Sequence, residues 1–177
     1  MNDSLEFENF VRQHQDMVFG MAVRMLADPS EAEDITQTVF LKAYERFDAL
    51  RRSPAVAGWL RTVTTNLCLN HLTRFRARWS LFSQRRSSEE GHSWSYEDTL
   101  VARDDPSEDL ARAERYARLE RGIRRLPPHQ RVPIVLYHFE ERSYLEIAEA
   151  LGVSVGKIKT DIHRGRLALR KLIGEDR

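Results

Sequence analysis

At 177 residues the chain is long enough for one ordinary domain or two small ones. A single cysteine, Cys68, excludes an internal disulfide and a thiolate-rich zinc site. The net charge of +1 conceals an asymmetry, about −2 over residues 1–75, about −3 over 76–109 and about +6 over 110–177. A basic C-terminal third suits a polyanion, whereas an acidic middle suits neither a core nor DNA. No apolar run is long enough to span a membrane and no signal peptide is seen, so the expected location is cytoplasmic, without membrane insertion.

In chain order, residues 4–27 are helical in pattern. Leu5, Phe7, Phe10 and Val11 form one apolar cluster, and Val18, Met21, Ala22 and Met25 form a second. A break is expected between them, over Gln13 to Asp16. Asp28-Pro29-Ser30-Glu31 then supplies an N-cap, a proline for the first helical position and a glutamate placed for a capping box. The helix is expected to reach about Phe47, with Ile35, Val39, Ala43 and Phe47 inward. Its other face carries Asp34, Gln37, Thr38, Phe40, Leu41 and Tyr44, more apolar area than a surface helix needs. A partner surface and a third packed helix both explain it.

After a short loop holding Arg51 and Arg52, Ser53-Pro54 restarts a helix expected to run to about Arg78. Val56, Leu60, Val63, Leu67 and Phe75 are its expected buried residues. Another face presents Thr62, Thr65, Asn66, Asn70 and Arg74, followed by Arg76 and Arg78. Aromatic residues interleaved with arginines suit single-stranded nucleic acid, because bases stack on flat side chains while cations track phosphates. Trp59 and Phe75 are more often core residues than stacking platforms. Cys68 with His71 offers two metal ligands at most, and a lone helical cysteine is ordinarily a small buried hydrophobe, so no metal or other cofactor is expected.

Residues 79–105 have no sustained period and are rich in Ser, Glu and Asp, as in a flexible linker, although Trp94 and Tyr96 are unusual in a mere spacer. Asp105-Pro106-Ser107-Glu108 repeats the earlier capping pattern and starts a helix to about Arg125 with Leu110, Tyr116, Leu119, Ile123 and Leu126 apolar. Leu126-Pro127-Pro128 ends it. A further helix is expected from His129 to about Phe139, either beginning late or kinking at Pro133.

Residues 143–173 read as a helix-turn-helix. Ile147, Ala148 and Leu151 share one face of the first helix, Gly152 makes the corner and Ser154 caps the second helix. In that helix Val155, Ile158, Ile162, Leu169 and Leu172 follow helical spacing. Its polar face carries Lys157, Lys159, Thr160, His163, Arg164, Arg166, Arg170 and Lys171, interrupted by Asp161 alone. Such a helix fits the major groove. Asp161 could face the groove, accepting from a base, or the helix flank, pairing with Lys157, Arg164 or Arg166.

The stretches AEDITQTVFLKAYERF, WLRTVTTNLCLNHL, LPPHQRVPIVLYHFEERSYLEIAEALGV and GKIKTDIHRGRLALRKL, in this order, resemble the extracytoplasmic-function (ECF) sigma factors of bacterial RNA polymerase. The resemblance implies an all-α protein of two small helical domains, 1–78 and 106–177, joined by an acidic linker, 79–105. It implies that Asp34, Gln37, Thr38, Phe40, Leu41 and Tyr44 bind the clamp coiled coil of core polymerase. Promoter −10 DNA would fall to Arg51, Trp59, Arg61, Thr62, Thr65, Asn66, Asn70, Arg74 and Arg76. The −35 element would fall to Ser154, Gly156, Lys157, Lys159, Thr160, Asp161, His163, Arg164 and Arg166. An anti-sigma factor is a further implied partner, and no small-molecule substrate is implied. Asn70, Asp161 and Pro133 depart from the family pattern.

A helix-turn-helix regulator acting without polymerase is the competing reading, but such proteins usually dimerise and no dimerisation helix is evident. An enzyme acting on nucleic acid would need paired metal-binding carboxylates or a nucleophile with its base. Glu31, Glu33 and Asp34 come nearest, and their place at a helix N-terminus is explained by the helix dipole.

Overall fold

Helical periodicity dominates the chain, and a computed structural model describes residues 2–84 and 106–175, with side-chain surroundings for 4–72 and 112–174. Among the described residues every regular element is a helix: α1 (Asn2–Leu26), α2 (Pro29–Tyr44), α3 (Phe47–Leu50), α4 (Val56–Gln84), α5 (Pro106–Arg125), α6 (Pro128–His138), α7 (Tyr144–Leu151) and α8 (Val155–Glu175).

The expected break in α1 at Gln13 to Asp16 does not occur. A helix needs only about one inward residue per turn, and His14 fills that place, its ring edge-on to Phe10 at 4.9 Å. Leu5, expected in the apolar cluster, is exposed instead. Helix α1 closes at Ala27, which takes a left-handed φ of 59° and donates its N–H to the Val23 carbonyl at 2.8 Å.

Asp28 caps α2 as expected, its Oδ1 accepting from the backbone of Ser30 at 2.9 Å and of Glu31 at 3.2 Å. The Glu31 carboxylate pairs with His71 of α4 and so ties the start of α2 to the middle of α4. Helix α2 ends at Tyr44, short of Phe47. Phe47 begins the separate turn α3 and packs edge-on against Phe7 and Phe10 at 5.1 and 5.5 Å. Helix α4 runs past the expected Arg78 to Gln84. Its Cys68 is a buried core residue, and burial pushes the thiol up to about 12.

Helix α6 starts at Pro128 and passes through Pro133, so it does not begin late. Pro133 is buried and gives up only the one helical hydrogen bond that its missing N–H would make. The capping box that starts α7 escaped the sequence reading: Ser143 Oγ accepts from the Glu146 N–H at 3.3 Å, and the Glu146 carboxylate accepts from the Ser143 N–H at 2.8 Å. Gly152 ends α7 at φ 66° and ψ 40°, and Ser154 Oγ accepts from Lys157 N–H at 3.2 Å to start α8.

Two close approaches fix α8. A Cβ on Gly165 would lie 2.4 Å from Ile134 Cδ1 and 3.2 Å from Gln130 Cβ of α6. A Cβ on Gly122 of α5 would lie 3.1 Å from Leu169 Cδ2. The polar side of the α6–α8 contact is held by Arg166, whose Nε donates to His138 Nε2 at 3.2 Å while its guanidinium lies over the Tyr137 ring at 5.5 Å. Burial, with Arg166 as a second cause, lowers the His138 pKa and keeps Nε2 available as an acceptor.

Helix α1 packs on α2 and α4 along one side and on α5 and α6 along another, so both halves share one core. Arg131 of α6 is buried at this seam. It donates to the carbonyls of Met25 and Leu26 at 3.1 Å each and to that of Leu126 at 2.7 Å. Burial draws its pKa down to about 10, so the guanidinium remains charged at neutral pH.

The Gly165 contact is directly testable. Gly165→Ala would gain about 0.5–1 kcal/mol of helix propensity but overpack a buried crossing at a cost of about 1–3 kcal/mol. Urea titration is expected to show net destabilisation. Gly58→Ala on α4, where a Cβ meets nothing within 4 Å, should stabilise. Equal midpoint shifts for both variants would refute the crossing.

Candidate nucleic-acid interface

The start of α8 stands clear of the core, because its apolar residues Ile158, Ile162 and Leu169 face α6 and α7. Ser154, Gly156, Lys159, Thr160 and His163 are all exposed there. Gly156, Lys159, Thr160 and His163 follow helical spacing and make one stripe of small, cationic and hydrogen-bonding groups. Thr160 donates its hydroxyl to the Gly156 carbonyl at 3.0 Å, so its oxygen remains free to accept. Arg164 is half-buried and Arg170 exposed farther along the helix.

Two α8 residues predicted to touch DNA are placed differently. Asp161 is 4% exposed and accepts from Lys157 Nζ at 2.7 Å. The flank placement is therefore the one observed, and the groove placement is not. The buried carboxylate holds Lys157, one turn earlier, in a fixed orientation. Arg166 is committed to His138 and Tyr137 of its own half.

Along α4, Thr62, Asn66 and Asn70 are exposed in an i, i+4, i+8 progression, with Arg61 exposed beside Thr62. Thr62 donates to the Gly58 carbonyl at 3.0 Å. Thr65, expected in this set, is 0% exposed and cannot meet a ligand without local opening. One position round the helix from Asn66 turns it inward beside Leu60 and Cys68. Trp59 is half-buried and packed against the core, so the core placement is the one observed. Arg51 is drawn back towards α1 by Glu6 at 2.9 Å, with Asp48 at 3.0 Å. Arg61 Nη1 lies 3.2 Å from Glu140 Oε2 and 3.4 Å from the Phe139 carbonyl. Burial raises the Glu140 carboxyl above its ordinary range despite Arg61, Arg142 and Arg24 nearby. The side chains of Arg74 and Arg76, like Trp94 and Tyr96, lie outside the described residues.

The α2 face divides in two. Asp34, Gln37, Leu41 and Tyr44 are exposed, Leu41 at 67% and Tyr44 at 61%, with Thr38 half-buried beside them. Phe40 is not part of this surface. It is 7% exposed, its ring edge-on to Phe10 at 6.4 Å in the α1–α2 core. The sequence reading put Phe40 on the outward face beside Leu41, one residue away. Part of the excess apolar area is packing, since Phe40 belongs to the core with α1, while Leu41 and Tyr44 stay exposed.

Arg131 and Arg24 were missed. A cation in the first turn of a helix opposes the helix dipole, and Arg131 at the head of an apolar run carries that signal. Arg24 carries none in the sequence. Its Nε donates to Glu120 at 2.6 Å, its Nη2 donates to the Tyr116 hydroxyl at 2.8 Å, and its guanidinium covers the Phe139 ring at 4.6 Å.

Residues 10–78 match the family model for sigma-70 region 2, and residues 116–169 match that for sigma-70 region 4. The chain is 32% identical to the ECF RNA polymerase sigma factor SigW of Bacillus subtilis over 96% of its length and 89% of the relative's. It is 33% identical to the RNA polymerase sigma-E factor of Streptomyces coelicolor over 99% of its length and 91% of that protein's. Among solved structures, the sigma factor RpoE in complex with the anti-sigma factor NepR from Bartonella quintana shares the fold. Its TM-score is 0.50 at 21% identity, over 97% of this chain and 98% of that one. With sigma-70 regions 2 and 4 in order and relatives 32% and 33% identical over nearly its whole length, the chain belongs to the ECF RNA polymerase sigma factors.

Proposed function

We propose that this sigma factor joins bacterial core RNA polymerase through the exposed face of α2, reads the promoter −35 element with the start of α8 and engages the −10 element along α4. The protein then acts in the cytoplasm, where polymerase and chromosome meet; no described helix is long and apolar enough to cross a membrane. The observation that carries the reading is the α8 stripe of Gly156, Lys159, Thr160 and His163, presented outward by a helix whose other side is locked to α6.

Each surface offers chemistry fitted to its target. On α8, Lys159 reaches phosphates or guanine edges, and His163 and Thr160 offer hydrogen bonds to bases. Lys157 acts as an oriented cation, steadied by Asp161. On α4, Asn66, Asn70 and Thr62 are uncharged hydrogen bonders suited to an unstacked base, and Arg61 to the backbone. On α2, Leu41 and Tyr44 supply apolar anchors, and Asp34 and Gln37 supply polar rim contacts. Domain limits follow as 1–78 for core and −10 binding and 106–177 for −35 binding. An anti-sigma factor covering the α2 or α8 surface is the expected regulator. A regulator acting without polymerase would need a duplex affinity of its own, for which a single helix-turn-helix without a dimer partner is poorly equipped.

In vitro transcription with core polymerase on genomic fragments is expected to give discrete start sites only when this chain is added. The competing reading predicts that the purified chain shifts duplex DNA alone and leaves core polymerase silent.

On α2, Leu41→Ala should weaken core binding by about 2 kcal/mol, as loss of a central anchor does, while the melting temperature hardly moves. Phe40→Ala should cost about 3–5 kcal/mol of stability and reduce core binding only as the fold is lost. Titration calorimetry against core polymerase, run beside thermal melts, separates the two. Wild-type affinity for Leu41→Ala would remove that face from the interface.

A further inference from the structure

Two short stretches repeat one pattern on the two helices assigned to DNA. Gly58-Trp59-Leu60-Arg61-Thr62 lies at the start of α4, and Gly156-Lys157-Ile158-Lys159-Thr160 at the start of α8. Each runs glycine, a variable residue, a branched aliphatic, a cation, threonine. No other glycine of the chain has a threonine four residues on. Burial repeats as well, being exposed, half-buried, buried, exposed and exposed in both. Leu60 and Ile158, each 0% exposed, face the core and so turn the other members of the unit the same way. In each stretch the threonine hydroxyl donates to the glycine carbonyl at 3.0 Å. That bond is ordinary for a helical threonine, but here it sets the hydroxyl beside a bare turn of helix.

Neither glycine is explained by the fold. Glycine is among the poorest helix formers. Gly122 and Gly165 are accounted for by helix crossings, with Leu169 Cδ2 at 3.1 Å and Ile134 Cδ1 at 2.4 Å from the place of a Cβ. Gly152 has the left-handed φ of a helix end. A Cβ on Gly58 or Gly156 would meet nothing within 4 Å, and neither residue has a positive φ. The open space lies outside the protein. Residues i, i+3 and i+4 adjoin on a helix, so each bare glycine is flanked by a cation, Arg61 or Lys159, and by a threonine oxygen. Arg61 shares its Nη1 with Glu140 and the Phe139 carbonyl, while its Nε and Nη2 make no hydrogen bond among the described residues. Neither unit exposes a large apolar side chain, and the centres of protein interfaces are depleted of charge. A floor without a side chain, beside a cation and a hydroxyl, fits a sugar–phosphate backbone better than a protein surface.

We propose that the two stretches are copies of one nucleotide-contact unit. The DNA backbone lies against the bare glycine turn, the cation takes its phosphate, and the threonine oxygen accepts from the adjoining base edge. Glycine is the determinant, because a methyl group in its place would hold the phosphate away from the cation. The α8 unit serves the −35 duplex and the α4 unit the −10 strand, an assignment that rests on the promoter reading above.

Gly58→Ala and Gly156→Ala in the full chain with core polymerase test this. Gly174→Ala is the control, since a Cβ there also meets nothing within 4 Å. Thermal midpoints and core titrations are expected to match or exceed wild type for all three. Holoenzyme affinity for a promoter fragment with a mapped start site is expected to fall about tenfold for Gly58→Ala and Gly156→Ala, as when a methyl group is forced into a filled contact, and to hold for Gly174→Ala. Neutral methylphosphonate linkages, placed singly through both elements, should weaken wild-type binding where each unit sits. That sensitivity should vanish in the matching alanine variant, as it does for groups in direct contact. Unchanged affinity in either alanine variant, or an equal loss in Gly174→Ala, would overturn the shared unit. A loss matched by weaker core binding would make the glycines a protein contact and overturn it equally. A wild-type holoenzyme silent on every promoter would remove the sigma reading, and the units with it, before any glycine is changed.

Discussion

One buried guanidinium sets the relation between the halves of this protein. The last carbonyls of a helix have no partner within it, and burying them unmet costs free energy. The ends of α1 and α5 are brought together in the interior, and Arg131 answers both with donors to Met25, Leu26 and Leu126. Its charge is also favourably placed at two helix C-termini. A fixed fork of donors meets this geometry, and lysine could not match it. Because Arg131 stands in the first turn of α6, it fixes α6 against α1, and α6 in turn carries α8 through the Gly165 crossing. Helix α8 is thus positioned by packing that begins at the end of the first helix.

Much of the fold was legible in the sequence because local chemistry decided it. Asp28-Pro29 and Gly152 followed by Ser154 each act within a few residues, and periodicity told the inward side of most helices. Most of what escaped was decided by distant partners, the local Ser143–Glu146 capping box excepted. The polar run at Gln13 to Asp16 suggested a break, but His14 found Phe10 and the helix continued. Glu31 was read as half of a capping box, and His71 of another helix claims it instead. Arg24 and Arg131 make their bonds across about a hundred residues, and no local pattern announces that.

The candidate site divides in the same way. The outward stripe of α8 followed from spacing alone, since Ile158 and Ile162 fix which side is buried. Phe40 and Thr65 were placed outward, yet each sits next to an exposed residue, Leu41 and Asn66, and about 100° of helical turn carries it inside. Arg166 belonged to a basic face by composition, and Asp161 interrupted that face with groove and flank placements both open. Their actual partners, His138 and Lys157, make them supports, Arg166 tying α8 to α6 and Asp161 orienting Lys157. A sequence reports which side chains are polar more readily than whether their hydrogen bonds are already taken.

The central claim is that Arg131 makes the two halves one cooperative unit in the free protein. Differential scanning calorimetry of the wild type beside Arg131→Met tests it most directly. One transition for the wild type is expected, giving way in the variant to two transitions at lower temperature, as the carbonyls of Met25, Leu26 and Leu126 lose their donors. Two independent transitions already present in the wild type, or a single unchanged transition in the variant, would contradict the account.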